Sequence, residues 1–150
     1  MKKFILIALA SLSIISCRKD DEKEESLILG TWNLTKIQIM SGKDNSVLSS
    51  EIISDCPDKM TYLFSDNRYT LTIFKDNFIG SCVVDETENG EFNYNENQRE
   101  VTFKSTLTGN PYIIKINSIT NNELQLIDSY FGYDANNDGV IDKRVMVFSK

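Results

Sequence analysis

Asp134-Ala135-Asn136-Asn137-Asp138-Gly139-Val140-Ile141-Asp142 is the stretch whose residue types and spacing point most directly to chemistry. Side-chain oxygens stand at loop positions 1, 3 and 5 (Asp134, Asn136, Asp138), glycine at 6, an apolar residue at 8 and Asp142 at 9. That matches the first three quarters of a twelve-residue Ca2+ loop. There, alternate residues aim their oxygens at one centre, and the position-7 carbonyl, here that of Val140, adds another. Position 12, where a bidentate acid belongs, is Val145, and the flanking segments read as strands. A Ca2+ held here would be bound weakly, toward the millimolar range of extracellular modules. The competing reading is a polar hairpin loop whose Asp and Asn side chains cap their own backbone. Ca2+ is the only cofactor the sequence suggests.

Other chemistries lose their residues. The chain has no histidine. That removes Ser-His-Asp and Cys-His catalysis, histidine general bases and His-ligated zinc. No glycine-rich phosphate loop or nucleophile elbow is present. Acids are plentiful, but none is placed against a second as an acid–base pair, so the chain reads as a non-enzyme. A net charge of −6 argues against nucleic acid, which needs a basic face.

Cys17 belongs to an address. Lys2 and Lys3 precede an apolar run, Phe4 to Ile15, shorter than the ~20 residues of a membrane span. Ile14-Ile15-Ser16-Cys17 resembles a lipobox, so residues 1–16 read as a lipoprotein signal and Cys17 as the lipidated first residue. Residues 17–26 are a charged tether. Within it Lys19-Asp20-Asp21-Glu22 resembles the export signal of surface lipoproteins in Bacteroidetes-type bacteria. This places the protein on the outer membrane, held by its lipid and facing outward. In an oxidising compartment the remaining pair, Cys56 and Cys82, reads as a disulfide.

Residues 27–150 are strand-like nearly throughout. Candidate strands start at Trp32 and continue through Met60–Phe64, Tyr69–Phe74, Phe78–Val84, Gly90–Tyr94, Glu100–Ser105, Tyr112–Ile119, Leu124–Tyr130 and Arg144–Phe148. Turns rich in Asn, Asp and Gly separate them. A short helix is expected around Leu48–Ser54 and a single turn at Leu27–Leu29. Short strands at this spacing without helical period indicate an all-β antiparallel sandwich or barrel.

Leu29-Gly30-Thr31-Trp32 opens this domain, and Gly-x-Trp at the first strand resembles the signature of lipocalins and related small calycin barrels. With the lipoprotein signal, the chain resembles the lipocalin-like lipoproteins of Bacteroidetes-type bacteria. The resemblance implies an up-and-down barrel of about 8–9 strands, of the size that fills with side chains or holds one small ligand. It also implies that Gly30 and Trp32 close one barrel end and that a late basic residue stacks on the tryptophan. Arg144 is the candidate, with Lys143 and Lys150 as rivals. Such a contact contributes ~0.5–2 kcal/mol.

The function implied is a surface-anchored barrel binding a small apolar ligand. Phe64, Tyr69, Phe74, Phe78, Phe92, Tyr94, Phe103 and Tyr112 are candidates to line it, or to form plain core. The alternative is a non-enzymatic accessory subunit of an envelope complex with a filled barrel, using Tyr130-Phe131-Gly132-Tyr133 as its contact patch.

Overall fold

The computed structural model describes residues 26–56 and 58–150; the signal at 1–16, Cys17 and the charged run to Glu25 lie outside the described residues. Strands carry the fold, and no helix occurs among the described residues. They are β1 (Gly30–Met40), β2 (Val47–Ile52), β3 (Met60–Ser65), β4 (Arg68–Asp76), β5 (Cys82–Asn95), β6 (Glu100–Ser105), β7 (Pro111–Ile119), β8 (Glu123–Ile127) and β9 (Lys143–Ser149). Apart from β2, whose residues are all exposed, they rest on period-2 alternation with apolar residues on the buried face. In β6, for example, Val101, Phe103 and Ser105 are buried while Thr102 and Lys104 are not.

Pairing is antiparallel and closes on itself. Strands β3 to β9 follow one another around the sheet, and β9 returns to β1. Strand β1 has two partners on one edge: Gly30–Asn33 pair with β3 and Lys36–Met40 with β2, while Asn33–Met40 pair with β9 on the other edge. Strands β2 and β3 thus share one strand position, interrupted by the excursion of residues 53–59. The ring is an eight-position up-and-down barrel.

One end is plugged. Trp32 is fully buried, and its Nε1–H donates to the Ile28 carbonyl at 2.7 Å. The turn expected at Leu27–Leu29 is present and brings that carbonyl into reach, with the Leu29 N–H donating to Ser26. Lys150 Nζ lies 4.8 Å from the Trp32 ring centroid. Gly30 sits at φ +118°, a conformation that favours glycine. Above the plug, aromatics fill the lower barrel. Phe64 meets Phe92 at 4.8 Å, and Tyr69 meets Phe103 edge-on at 4.9 Å. Gly90 makes room for this cluster, because a Cβ there would lie 2.6 Å from the Tyr69 ring and 2.3 Å from the Lys104 carbonyl.

Four expectations are corrected. Leu48–Ser54 is no helix: Val47–Ile52 form β2, because six residues make a poor isolated helix and the β1 edge offers backbone partners. Phe78–Gly80 belong to a turn. The Asn77 carboxamide oxygen accepts from the Ile79 and Ser81 N–H groups, so the strand begins at Cys82. Strand β8 stops at Ile127, since Asp128 accepts the Tyr130 N–H and turns the chain. Lastly, Lys150 and not Arg144 lies over Trp32. Strand β9 runs from the open end to the plugged end, so Arg144 is at the wrong end and pairs instead with Asp128 at 3.4 Å.

Candidate ligand cavity

Barrel closure gives the site its walls. The β3–β4, β5–β6 and β7–β8 turns surround the plugged end, and the remaining connections surround the other. Tyr62, Phe64, Tyr69, Phe92, Val101 and Phe103 are buried in the core. Toward the open end the inward-facing residues Met60, Ile73, Tyr112, Ile114 and Met146 pack on that core but stay only partly buried. Ile37 pairs with Met146 and Ile39 with Arg144, which puts both isoleucines on the same inner face. Burial thus falls off along the barrel, complete near the plug and partial toward the open end.

A side opening leads into the half toward the open end. Strand β8 leaves the sheet after Ile127, so Tyr112–Ile114 of β7, paired with β6 on one edge, have no strand on the other. A cavity of about 410 Å³ lies there, walled by Tyr112, Ile114 and Met146 from inside and by Ile127, Asp128 and Tyr130 at the rim. Its size falls within the range of small-molecule sites, roughly 300–1,000 Å³, and its lining is mainly apolar, as such sites require.

Of the residues lining the cavity, Tyr112 is tied by its hydroxyl to a carboxylate outside the lining. Tyr112 Oη donates to Glu88 Oε1 at 3.2 Å, and Tyr69 Oη donates to the same oxygen. Strand alternation explains the position: Glu88 stands on the face of Gly90 and Phe92, opposite Leu71 of β4. The sequence reading missed Glu88, although that alternation was its signal. Burial holds the Tyr69 phenol up at about 12, with the Glu88 hydrogen bond adding to it. Burial likewise raises Tyr62 and Tyr112 above the usual phenol value.

The sign of this linkage is definite. A phenol whose folded pKa is raised stabilises the fold fully below its unfolded value, ~10, and that stability is lost as pH climbs through the folded value. Thermal stability should thus be flat to about pH 9.5 and then fall by ~1.4 kcal/mol per pH unit for each protected phenol. For Tyr69 the window runs from ~10 in the unfolded chain to about 12 in the fold. Melting curves from pH 8 to 12 check this; Tyr69→Phe should flatten the decline.

The other expected residues fall elsewhere. Of the eight candidate lining aromatics only Tyr112 reaches the cavity; Phe64, Tyr69, Phe92 and Phe103 are core, and Phe78 is fully exposed. Cys56 and Cys82 form the disulfide, with Cα atoms 5.8 Å apart, joining the 53–59 excursion to the start of β5 beside the β4–β5 turn. The acidic loop spends its oxygens on its own neighbourhood. Asp134 accepts from the Asp138 and Gly139 N–H groups, and Asn136 and Asp138 accept from N–H groups two residues on. Asp142 is only 2% exposed, and its two oxygens accept from Gly42 at 3.0 Å and Ala135 at 2.7 Å. This pins the loop to the β1–β2 turn. Val145, in place of the bidentate acid, is buried in β9. Among the described residues no three His, Cys, Asp or Glu gather as a metal would need. These bonds are those of a self-capping loop, and Val145 leaves the twelfth loop position without an acid.

Plugged at one end and apolar at the other, an eight-position antiparallel barrel of this kind is the architecture of small ligand-binding calyx proteins. The profile of the lipocalin-like domain family matches residues 28–126, and the chain belongs to that family. A lipocalin-like protein from Bacteroides uniformis has a similar structure (TM-score 0.50, 14% identity, covering 83% of this chain and 99% of that one). Lobster apocrustacyanin A1 matches with a TM-score of 0.41 and 15% identity over 85% of this chain and 62% of its own. For apocrustacyanin C2 the corresponding values are 0.41, 15%, 87% and 64%. No curated protein matches the sequence.

Proposed function

We propose that this chain is a lipid-anchored protein of the outer membrane, facing outward. Its barrel takes up one small, mainly apolar ligand and carries out no reaction on it. The observation that supports ligand uptake is the cavity at the break in the wall after β8. Aromatics pack the lower barrel, whereas Tyr112, Ile114 and Met146 border about 410 Å³ of space reached from the side. Tyr112 lines that space with its hydroxyl on Glu88, and Asp128 stands at the rim. They suit a ligand with a hydrogen-bond-donating or cationic group at one end of an apolar body. The lipidated Cys17 and the tether supply the anchor in this proposal.

Native mass spectrometry of the purified protein should show a bound small molecule. Met146→Trp, which fills the cavity, should abolish that adduct while leaving the fold intact. A protein that neither co-purifies with nor takes up any amphiphile would sink the ligand reading. The anchor is tested separately: Cys17→Ser should prevent lipidation, seen as loss of acyl incorporation.

A further inference from the structure

The two ends of the barrel differ sharply in what their turns expose. At the plugged end the turns are Asp66-Asn67, Glu96-Asn97-Gln98-Arg99 and Thr120-Asn121-Asn122, without an apolar residue. At the open end Phe78 is fully exposed at the tip of the β4–β5 turn beside Ile79 at 84%. Leu107 is 73% exposed on the β6–β7 turn, and Tyr130 is 97% exposed after β8. Among the described residues, every exposed large hydrophobic except Leu63 lies in the half of the barrel toward the open end.

Local structure does not ask for these side chains. Asn77 makes its turn with its own carboxamide, and the Ser105 hydroxyl accepts the Leu107 N–H at 3.2 Å. Phe78, Ile79 and Leu107 contribute nothing to either turn that a polar residue would not.

We infer that the open end of the barrel docks on a lipid bilayer, with Phe78, Ile79, Leu107 and Tyr130 entering the interfacial region. The apolar tips stand on three separate connections, the last of which also exposes Tyr133, Val140 and Ile141. Isolated protrusions each find a place in a fluid interface, whereas a protein partner needs a contiguous complementary patch. Phe and Tyr suit the headgroup boundary. Charge narrows the occupant further. The chain carries −6, and Asp76 and Asp134 belong to this end, where Asp128 is paired with Arg144. That disfavours anionic lipid and a second copy presenting the same rim, and leaves a zwitterionic surface. The inference rests on the turn tips alone. If the ligand reading also holds, the cavity opens onto the same surface, and an apolar ligand passes between lipid and barrel without crossing water.

Trp32 is the sole tryptophan and is fully buried, so an added tryptophan reports its own surroundings. The full chain carrying Phe78→Trp, Leu107→Trp or, at the plugged end, Asn97→Trp is mixed with phosphatidylcholine vesicles containing brominated acyl chains. Emission of the Phe78→Trp and Leu107→Trp proteins should shift to the blue and be quenched; that of Asn97→Trp should stay solvent-like. Solvent-like emission at both open-end positions overturns the inference, as does equal quenching at Asn97→Trp. A concentration-dependent blue shift of Phe78→Trp without vesicles also overturns it, since a second copy would then cover the tip. A barrel that binds no ligand leaves all these outcomes unchanged.

Discussion

Replacing Trp32 by alanine should cost this domain more than any other single truncation. Loss of a buried Trp typically destabilises by ~3–5 kcal/mol, against ~5–15 kcal/mol for the whole fold of a domain. Three contributions meet at this ring. It is fully buried, its N–H is the partner of the Ile28 carbonyl, and the Lys150 ammonium rests 4.8 Å from its centroid. Alanine leaves a void at the barrel end and strips Ile28 of its donor. The contributions separate by variant. Lys150→Ala removes only the cation contact and should cost ~0.5–2 kcal/mol. Trp32→Phe keeps most of the ring but leaves the Ile28 carbonyl without its partner, adding ~1–3 kcal/mol to the lost volume. Chemical denaturation followed by circular dichroism checks this, because Trp32→Ala removes the intrinsic fluorophore. If Trp32→Ala costs no more than Lys150→Ala, the plug is not holding the barrel end.

The sequence reveals these features unevenly, for physical reasons. Strands with one buried face declare themselves by alternation, so β3, β4 and β6 are visible in Tyr62/Phe64, Tyr69/Leu71 and Val101/Phe103. Strand β2 is invisible because all six of its residues are exposed and only its backbone is engaged. The basic residue over Trp32 depends on where β9 ends relative to the plug, a register fact, so Lys150 was not separable from Arg144. Glu88 was legible in principle. It follows the Gly90–Phe92 parity, yet a carboxylate in a run of acids looks solvated until Tyr69 and Tyr112 are placed against it. For the acidic loop the sequence shows the spacing but not the partners. Its spacing suits a cation, and Asp142 accepts from the Gly42 and Ala135 N–H groups, of which Gly42 lies beyond the motif. Phe78 misled because an apolar residue after Lys75-Asp76-Asn77 reads as the next strand, when Asn77 in fact bends the chain around it.

Removing the Cys56–Cys82 disulfide should produce the second large effect. The bond spans a sequence separation of 26 residues. In the chain-entropy model, closing such a loop in the unfolded chain stabilises the fold by ~3–4 kcal/mol. The structure adds a local consequence. The excursion from Ile53 to Lys59 interrupts the β2–β3 strand position and has few ladder bonds of its own, among them Ile53 N–H to Thr35 and Phe74 N–H to the Lys59 carbonyl. The bond ties this segment to Cys82, where β5 begins below the Phe78–Ile79 tip. A Cys56→Ala/Cys82→Ala protein should therefore be less stable by that amount and exchange amide protons faster at residues 53–59 and 76–84. The aromatic core, which does not include Cys56, should remain protected. Because the bond and Trp32 belong to opposite ends of the barrel and share no partner, their costs should add. The triple variant would then lose ~6–9 kcal/mol, enough to unfold a domain of ordinary stability. Hydrogen exchange on the double variant, with denaturation of all three proteins, checks both parts. Faster exchange spread evenly over the barrel would show that the bond supports the whole fold and not the open end in particular.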